Sequence, residues 1–283
     1  MWKTCVGLNG FASSERVHGL HFELEEILSH ARDLEYDGIE LFPFHGSYPT
    51  TPSGQRALRD LYRQYGLATP ALQSETRGHA ASPESKQRDA YVESVQRMID
   101  FAHVLEASEV GIWSGVPLEG VPHDQQMQGV LDTCQRCAAL AEEAGITLAL
   151  EPEPVQVVSS LEDILFLLDG VDSSVFTALY DLSHANVLSR GRPLDFLLAL
   201  EGRVGHVHFT DSDAQQLLLD VEGASGTSKH LAVGDGNLDL AAILQALKDA
   251  GYAGWMQVDV WENPDPYRAS KLGKQYLDDF MGK

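Results

Sequence analysis

Cysteine is scarce in this sequence, with three residues in a chain of 283. Three thiols cannot form the disulfide framework that stabilises small secreted domains, so the composition fits a reducing, cytoplasmic setting. Cys134 and Cys137 form a C-x-x-C pair, but they lie well inside an apolar-periodic helix. A redox thiol is acidified at a helix N-terminus, and we therefore interpret this pair as packing residues.

Basic residues are also few, because 20 Lys and Arg stand against 42 Asp and Glu, giving a formal net charge of −22. Such a charge disfavours nucleic acid and anionic lipid as partners, since phosphate groups need a basic surface. No run of about 18 apolar residues occurs, so no membrane span is indicated. The first ten residues lack the long apolar segment of a signal peptide and are expected to form a strand.

What the sequence does contain is a regular alternation of strand-like and helix-like segments. The predicted strands cover residues 6–8, 39–44, 67–72, 110–113, 146–150, 176–180, 204–209 and 255–260. The predicted helices cover residues 24–34, 57–65, 91–105, 130–144, 161–168, 194–200 and 240–247. This pattern predicts a single (β/α)8 TIM barrel over residues 1–283. A doubly wound open sheet is the alternative, but no G-x-G-x-x-G follows the first strand.

Acidic residues and histidines recur where the later predicted strands end. They are Glu151, Asp181, His206, His208, Asp211, Asp259 and Glu262. Catalytic groups of a TIM barrel come from the carboxyl ends of its strands, so these side chains should converge at the barrel mouth. Buried like charges repel one another unless a cation compensates them, and the pattern therefore predicts a metal site.

Oxygen-rich ligands with one imidazole suit a divalent cation. Mn²⁺ is the first expectation, with Mg²⁺, Co²⁺, Fe²⁺ and Zn²⁺ as alternatives. His206 and His208 are two residues apart on one strand, so both should point to the same face. If that face is the interior, His206 lies deeper as a structural residue, and His208 lies nearer the mouth as a ligand.

Several motifs resemble those of the sugar phosphate isomerase/epimerase superfamily, whose members share a xylose-isomerase-like TIM barrel. The most specific are Glu151 after a strand, Asp181-x-x-His184, His208-x-x-Asp211, Gly-Asp-Gly-Asn-Leu-Asp at 234–239 and Gly-Tyr-Ala-Gly-Trp at 251–255. The resemblance covers essentially the whole chain. It implies that the metal ligands are Glu151, Asp181, His208 and Asp259, and that His184 lies near the substrate.

One position departs from the family pattern. The family usually has Glu as its last ligand, whereas this chain has Asp259, whose side chain is one methylene shorter. Glu262 is the nearest substitute, but it lies three residues further on and should face away if the strand continues. Asp259 is therefore kept as the expected ligand.

The resemblance implies a divalent-metal-dependent isomerase or epimerase of a keto-sugar or related polyol. In this mechanism a proton α to a carbonyl is removed, and the metal stabilises the resulting enediolate. Glu151 and Asp259 are expected to remove and return the proton from opposite faces. The expected substrate-binding residues are His184, His230, Glu153 and Trp113, and further pocket candidates are Phe44 and Glu75. No basic residue lies in a phosphate-binding motif, which favours an unphosphorylated substrate.

Three other functions stay open on the same barrel. A lyase that dehydrates a keto-inositol or a dehydroshikimate-like substrate begins with the same proton abstraction and then expels a β-hydroxyl group. An endonuclease-IV-like hydrolase needs additional histidines at earlier strand ends, where this chain has Trp113 and Ser114. A carbohydrate-binding barrel without activity is the third. Family members often associate, so the resemblance also allows a homo-oligomer.

Overall fold

Eight parallel strands form one sheet in the computed structural model, which describes residues 2–42, 48–74, 77–216 and 225–283. The strands are β1 Lys3–Gly7, β2 Gly38–Glu40, β3 Ala71–Gln73, β4 Glu109–Ile112, β5 Thr147–Leu150, β6 Phe176–Asp181, β7 Val204–Phe209 and β8 Trp255–Val258. Their order is β2-β1-β8-β7-β6-β5-β4-β3. Parallel bridges from Gly38 to Ala68 and from Leu41 to Leu72 bring β2 and β3 together. The predicted (β/α)8 TIM barrel is confirmed.

Helices surround the strands. They are α1 Leu8–His18, α2 Leu24–Asp33, α3 Pro52–Gln64, α4 Ser85–Leu105, α5 His123–Ala144, α6 Leu161–Val171, α7 Leu182–Leu188, α8 Pro193–Ala199, α9 Leu240–Asp249 and α10 Pro266–Met281. All seven helices that the periodicity predicts are present, and α1, α7 and α10 are additional. Within the described ranges, no helix combines the length and apolar character that crossing a bilayer requires.

Helix α1 begins at Leu8, which is the last residue of the first predicted strand. The first strand is present, but β1 spans Lys3–Gly7, so it begins three residues before the predicted strand and ends one residue before its predicted end. A side chain at Gly10 would overlap Val260, so the glycine lets the helix pack against the chain that follows β8. The Ser14 hydroxyl donates to Gly10 O at 2.7 Å. Small polar residues therefore occupy buried positions of this helix, which leaves no apolar stripe to identify it from the sequence.

The three cysteines are free and buried. Burial raises the pKa of the Cys134 thiol well above its usual value, and it raises the pKa of Cys137 to about 12. Both residues lie on the packed side of α5, where a protonated thiol behaves as a small apolar group. The structure therefore agrees with a packing role for this pair.

The interior of the barrel is polar near the carboxyl ends of its strands. The fully buried polar side chains there include Glu40, Gln73, His206 and Gln257, with His208 almost fully buried. Glu40 contacts both imidazoles, so His206 and His208 point to the same inner face, as the sequence analysis predicts. Polar groups in such a place need hydrogen-bond partners, which points to a specific use for this end of the barrel.

Two glycines make room for the interior amides. A side chain at Gly7 would overlap the Gln257 carboxamide, and a side chain at Gly111 would overlap the Gln73 carboxamide. Both neighbouring glutamines are fully buried, so they have little space into which they could move. The inner wall of the barrel is therefore shaped by the absence of side chains at these two strand positions.

Gly111→Ala should lower the free energy of unfolding by about 1–3 kcal/mol, because the added methyl group overpacks the barrel interior against Gln73. Urea unfolding followed by circular dichroism measures the loss. The matched control is Gly170→Ala in α6, where the methyl group meets only the flexible end of Leu131. A helix prefers Ala to Gly, so this control should keep at least wild-type stability. Equal stabilities of the two variants would contradict the packing argument.

Candidate metal centre

Four strand ends bring their side chains together at the barrel mouth. These are Glu151 directly after β5, Asp181 at the end of β6, His208 within β7 and Asp259 directly after β8. His208 Nδ1 lies 3.3 Å from Glu151 Oε1 and 3.5 Å from Asp259 Oδ2. It lies 3.8 Å from Asp181 Oδ2. All four side chains are buried, so the expected ligands share one small volume.

The second oxygen of each carboxylate accepts a hydrogen bond from a nearby N–H group. The pairs are Trp113 Nε1 to Glu151 Oε2 at 2.7 Å, the His184 amide to Asp181 Oδ1 at 2.7 Å and the Trp261 amide to Asp259 Oδ1 at 2.9 Å. One oxygen of every carboxylate is thus fixed, and the other lies within 3.8 Å of His208 Nδ1. The three groups are oriented in the same way although they come from three different strands.

His208 Nδ1 finds no hydrogen-bond partner among the described residues, although it is buried. The other ring nitrogen, Nε2, contacts Glu40 Oε1 at 3.2 Å. A buried nitrogen without a partner is costly unless something else satisfies it. Glu151, Asp181 and His208 each offer a ligand atom within 4.8 Å of the others. The donor set of carboxylate oxygens and one imidazole could therefore hold a divalent cation.

The pKa values of the buried carboxyl groups are shifted by burial and by the charged groups around them. Burial alone would raise the pKa of Asp181, but His184 and His230 hold it well below its usual value. Burial raises the pKa of Asp259, and the neighbouring carboxylates Asp181 and Glu151 raise it as well. Without a cation, the site relies on positively charged imidazoles to balance its carboxylates. A bound divalent cation would supply that balance directly.

Two further histidines complete the wall of the site. His230 Nδ1 donates to Ser228 O at 2.9 Å, and His230 Nε2 lies 3.2 Å from Asp181 Oδ2. His184 Nδ1 shares a hydrogen bond with Ser228 Oγ, and His184 Nε2 lies 3.6 Å from Glu151 Oε1. The two rings meet edge to face with centroids 5.2 Å apart. Ser228 therefore orients both imidazoles so that their Nε2 atoms face the carboxylates.

A cavity of about 400 Å³ opens above the carboxylates. Trp113, His184, His230 and Glu153 all line it, so the structure brings the expected substrate-binding residues to one space. Glu153 is partly exposed there, and burial raises the pKa of its carboxyl group. Three aromatic side chains form part of the wall: Phe42, Trp113 and Trp261. The other two pocket candidates, Phe44 and Glu75, lie outside the described residues.

The cavity has few basic side chains other than histidine. Among the described residues that line it, none is Lys or Arg. The undescribed segments of the sequence at 43–47, 75–76 and 217–224 also contain neither residue type. Arg16 stacks over the Trp261 ring at 5.4 Å, but its guanidinium pairs with Glu262 Oε1 at 2.7 Å. The described lining of the cavity therefore offers no arginine or lysine side chain that could bind a phosphate group.

Asp211 of the His208-x-x-Asp211 motif does not contact the carboxylate cluster. Its Oδ2 accepts from the amides of Gly234 at 3.0 Å and Gly236 at 3.2 Å. Its Oδ1 accepts from the amides of Ser212 at 2.8 Å and Leu238 at 3.2 Å. A side chain at Gly236 would overlap the Asp211 carboxylate. The Gly-Asp-Gly-Asn-Leu-Asp segment is thus a backbone cradle for this one carboxylate.

Glu262 turns away from the cluster, as expected for a residue three positions after Asp259. Its Oε1 accepts from Arg16 Nη2 at 2.7 Å and from the Ser225 amide at 2.8 Å. The Glu262 amide donates to Ser13 Oγ at 2.8 Å. These contacts tie Glu262 to α1, so it is not available as a substitute for Asp259.

Three residues that shape the site were not predicted from the sequence. They are Glu40 and Gln73, which lie beneath His208, and Ser228, which orients two histidines. Glu40 interrupts the apolar run Ile39–Phe42, and this lone carboxylate was a signal that could have identified it. Ser228 and Gln73 carry no comparable signal, because their roles depend on residues far away in the chain.

The chain belongs to the xylose isomerase-like TIM barrel family, whose model matches residues 28–276. Inosose dehydratase from Geobacillus kaustophilus is 26% identical over 281 residues, covering 92% of this chain and 88% of the relative. This family assignment confirms the resemblance that the strand-end motifs indicate.

Solved structures share the fold. A D-tagatose 3-epimerase-like protein superposes with a TM-score of 0.78 at 22% identity, covering 99% of this chain and 97% of the other. The IolI protein, solved with a zinc atom, superposes with a TM-score of 0.77 at 18% identity, covering 99% and 98%. Proteins of this architecture thus include sugar-epimerase-like and dehydratase relatives, and one of them has been seen with a divalent metal.

Asp211→Asn should lower the free energy of unfolding by about 1–3 kcal/mol, because the new amide group would face backbone N–H donors that now reach a carboxylate. Chemical denaturation measures the change. Asp213→Asn is the matched control, since within the described ranges Asp213 accepts one backbone hydrogen bond, from Gln215, which an asparagine can also accept, and its ion pair with Lys229 is long at 3.9 Å. If Asp211→Asn matched this control in stability, the cradle would not be a stabilising feature.

Proposed function

We propose that this protein is a divalent-metal-dependent enzyme that removes a proton α to the carbonyl of an uncharged keto-sugar or keto-polyol. Glu151, Asp181, His208 and Asp259 would hold the metal. The observation that carries the proposal is the arrangement around His208 Nδ1, where three carboxylates each place one oxygen within 3.8 Å of a buried nitrogen that has no hydrogen-bond partner among the described residues. Returning the proton to carbon would make the enzyme an isomerase or epimerase.

The donor set fits a divalent cation in chemistry as well as in position. Three carboxylates and one neutral imidazole suit Mn²⁺, Mg²⁺, Co²⁺, Fe²⁺ or Zn²⁺, and Mn²⁺ is our first candidate. When bound, such an ion would supply Lewis-acid stabilisation of the negative charge that develops on the substrate oxygens. The zinc atom of the IolI structure supports a divalent metal in this architecture without identifying the one used here.

Glu151 and Asp259 are the proposed acid–base pair. In the barrel order, β5 and β8 flank β6 and β7, so these two carboxylates lie at the two sides of the donor set. A flat enediolate between them would be within reach of one carboxylate on each face. Trp113 Nε1 holds Glu151 Oε2 next to the cavity, and a fixed carboxylate loses less entropy in proton transfer. Removal by one residue and return by the other would invert the carbon.

The cavity favours an uncharged, hydroxyl-rich substrate. Its described lining has no Lys or Arg to pair with a phosphate or carboxylate group. His184, His230 and Glu153 offer hydrogen bonds to substrate oxygens. Trp113 and the other aromatic side chains offer flat apolar faces for the C–H side of a sugar ring. This combination supports a ketose or keto-polyol over a sugar phosphate.

A dehydratase is the second candidate, and the similarity to inosose dehydratase over 92% of the chain favours it. Proton removal by Glu151 or Asp259 would be shared with the epimerase reaction. The β-hydroxyl group would then leave as water, which needs a proton donor. Glu153 lines the same cavity and is the carboxyl group that we propose for that role. Product mass separates the two reactions, because only dehydration loses water.

Adding Mn²⁺ to chelator-treated protein should raise its melting temperature, because a ligand that binds only the folded state stabilises it. The gain is about 2.7 kcal/mol at a free metal concentration about 100 times the Kd. Differential scanning calorimetry with and without Mn²⁺ measures the shift. Asp181→Asn should greatly reduce it, whereas Asp195→Asn on the exposed side of α8 should not. A wild-type protein that melts identically with and without each of the candidate metals would exclude the metal proposal.

Glu151→Gln should slow deuterium exchange at the substrate α-carbon by about 100-fold or more, because an amide cannot accept the proton. The assay follows solvent deuterium incorporation into ketoses and keto-inositols by mass spectrometry in deuterated water with saturating Mn²⁺. Glu143→Gln, which lies exposed on α5, is the control and should exchange at the wild-type rate. Wild-type exchange in Glu151→Gln would remove Glu151 from the acid–base role.

A further inference from the structure

Glu40 is a fully buried carboxylate at the end of β2, on the opposite side of His208 from the proposed ligands. No step of the proposed reaction uses it. A buried charge is costly unless it is paired and hydrogen-bonded, so its presence in an otherwise apolar run of sequence calls for a physical reason. The contacts of its two oxygens supply that reason.

Three donors converge on the Glu40 carboxylate. His206 Nε2 lies 2.6 Å from Oε2, and His208 Nε2 lies 3.2 Å from Oε1. Gln73 Nε2 donates to Oε1 at 2.9 Å. A carboxylate can accept at both oxygens, whereas a carboxamide accepts at one and donates at the other. The site is therefore built for the charged acid and not for its neutral isostere.

The contact with Glu40 decides which nitrogen of His208 is available. When His208 Nε2–H donates to Glu40, the neutral ring carries its lone pair on Nδ1. That atom faces the three carboxylate oxygens at 3.3, 3.5 and 3.8 Å. Glu40 also fixes the ring from behind, since Nδ1 itself has no hydrogen-bond partner among the described residues. Gln73 Nε2 lies 3.5 Å from the same His208 nitrogen but donates to Glu40 at 2.9 Å. The Glu40 carboxylate is therefore the nearer partner of His208 Nε2, and both the orientation and the tautomer of the imidazole depend on that contact.

Glu109 offers a natural comparison inside the same barrel. It is a buried carboxylate at the start of β4, and its Oε1 lies 3.5 Å from His206 Nδ1. None of its ion pairs within the described chain involves His208. Removing the charge of Glu109 therefore perturbs a buried histidine of the barrel without touching the proposed ligand.

We infer that Glu40 is a positioning residue that orients His208 and fixes its tautomer, and that it thereby sets the affinity of the site for a divalent cation. This inference rests on the proposed function, because it assumes that His208 is a metal ligand. Carboxylates that hold a ligating histidine from behind commonly change metal affinity by about 10–100-fold when they are removed. Glu40 acts through His208 and has no contact with the reacting atoms.

The test compares wild-type protein with Glu40→Gln and Glu109→Gln after chelator treatment. Calorimetric titration with Mn²⁺ gives the Kd, and titration with Co²⁺ gives a visible spectrum that reports ligand geometry. Glu40→Gln should weaken the Kd about 10–100-fold and change the Co²⁺ absorption band. Glu109→Gln should keep a Kd and a spectrum close to those of the wild type. A merely structural role for Glu40 would lower thermal stability without changing the Co²⁺ spectrum of the folded fraction.

Glu40→Asp keeps the experiment decisive if Glu40→Gln does not fold. The shorter side chain of aspartate retains the charge but places its oxygens further from His206 and His208. The Kd of this variant for Mn²⁺ should therefore lie between those of the wild type and Glu40→Gln. A wild-type Kd in a folded Glu40 variant would overturn the inference, and so would equal weakening in Glu109→Gln. A wild-type protein that binds neither Mn²⁺ nor Co²⁺ would instead refute the metal site itself, which separates the two failures.

Discussion

The site depends on one electrostatic constraint: three carboxylates are buried within reach of a single imidazole nitrogen. Such a group of like charges is unfavourable in an apolar environment unless positive charge balances it. The protein does not relieve the repulsion by scattering the side chains. It fixes one oxygen of each carboxylate with an N–H donor and places the other within 3.8 Å of His208 Nδ1. An arrangement held this rigidly is suited to receive a cation with little reorganisation.

The barrel provides these donors through its connections. Asp181 ends β6 and also caps α7, so the His184 amide in the first turn of that helix fixes its carboxylate. Asp259 is fixed by the Trp261 amide, which follows it in the chain. Glu151 depends instead on Trp113 from the neighbouring β4 connection. Each of the three carboxylates is therefore oriented by the segment that follows its own strand or the adjacent one.

Much of this could be predicted from the sequence because it depends on local pattern. The strand-end residues Glu151, Asp181 and Asp259 follow recognisable apolar strands, and the period of two along β7 separates His206 and His208 from Val207. Metal binding by those residues is our proposal, and both the sequence pattern and the geometry of the cluster support it.

The remainder could not be predicted because it depends on contacts between distant segments. Glu40 and His208 are 168 positions apart, and the sequence around either residue gives no indication that the two side chains are in contact. Helix α1 was missed because its buried positions carry Gly and Ser in place of an apolar stripe. Asp211 was recognised within a motif, but only the structure shows that it binds four backbone amides and holds the neighbouring turn.

Under the proposed function, the same geometry would serve an epimerase or a dehydratase. In both proposed reactions a carboxylate first removes a proton next to a carbonyl, so both would use the same crowded donor set. They diverge only in the next proton transfer. If a carboxylate on the opposite face, such as Asp259, returns a proton to carbon, the configuration changes and the mass does not. If a carboxyl group such as Glu153 protonates the β-hydroxyl group first, water leaves. The choice between the two proposed reactions therefore depends on which carboxyl group delivers the next proton, Asp259 of the carboxylate cluster or Glu153 of the cavity wall.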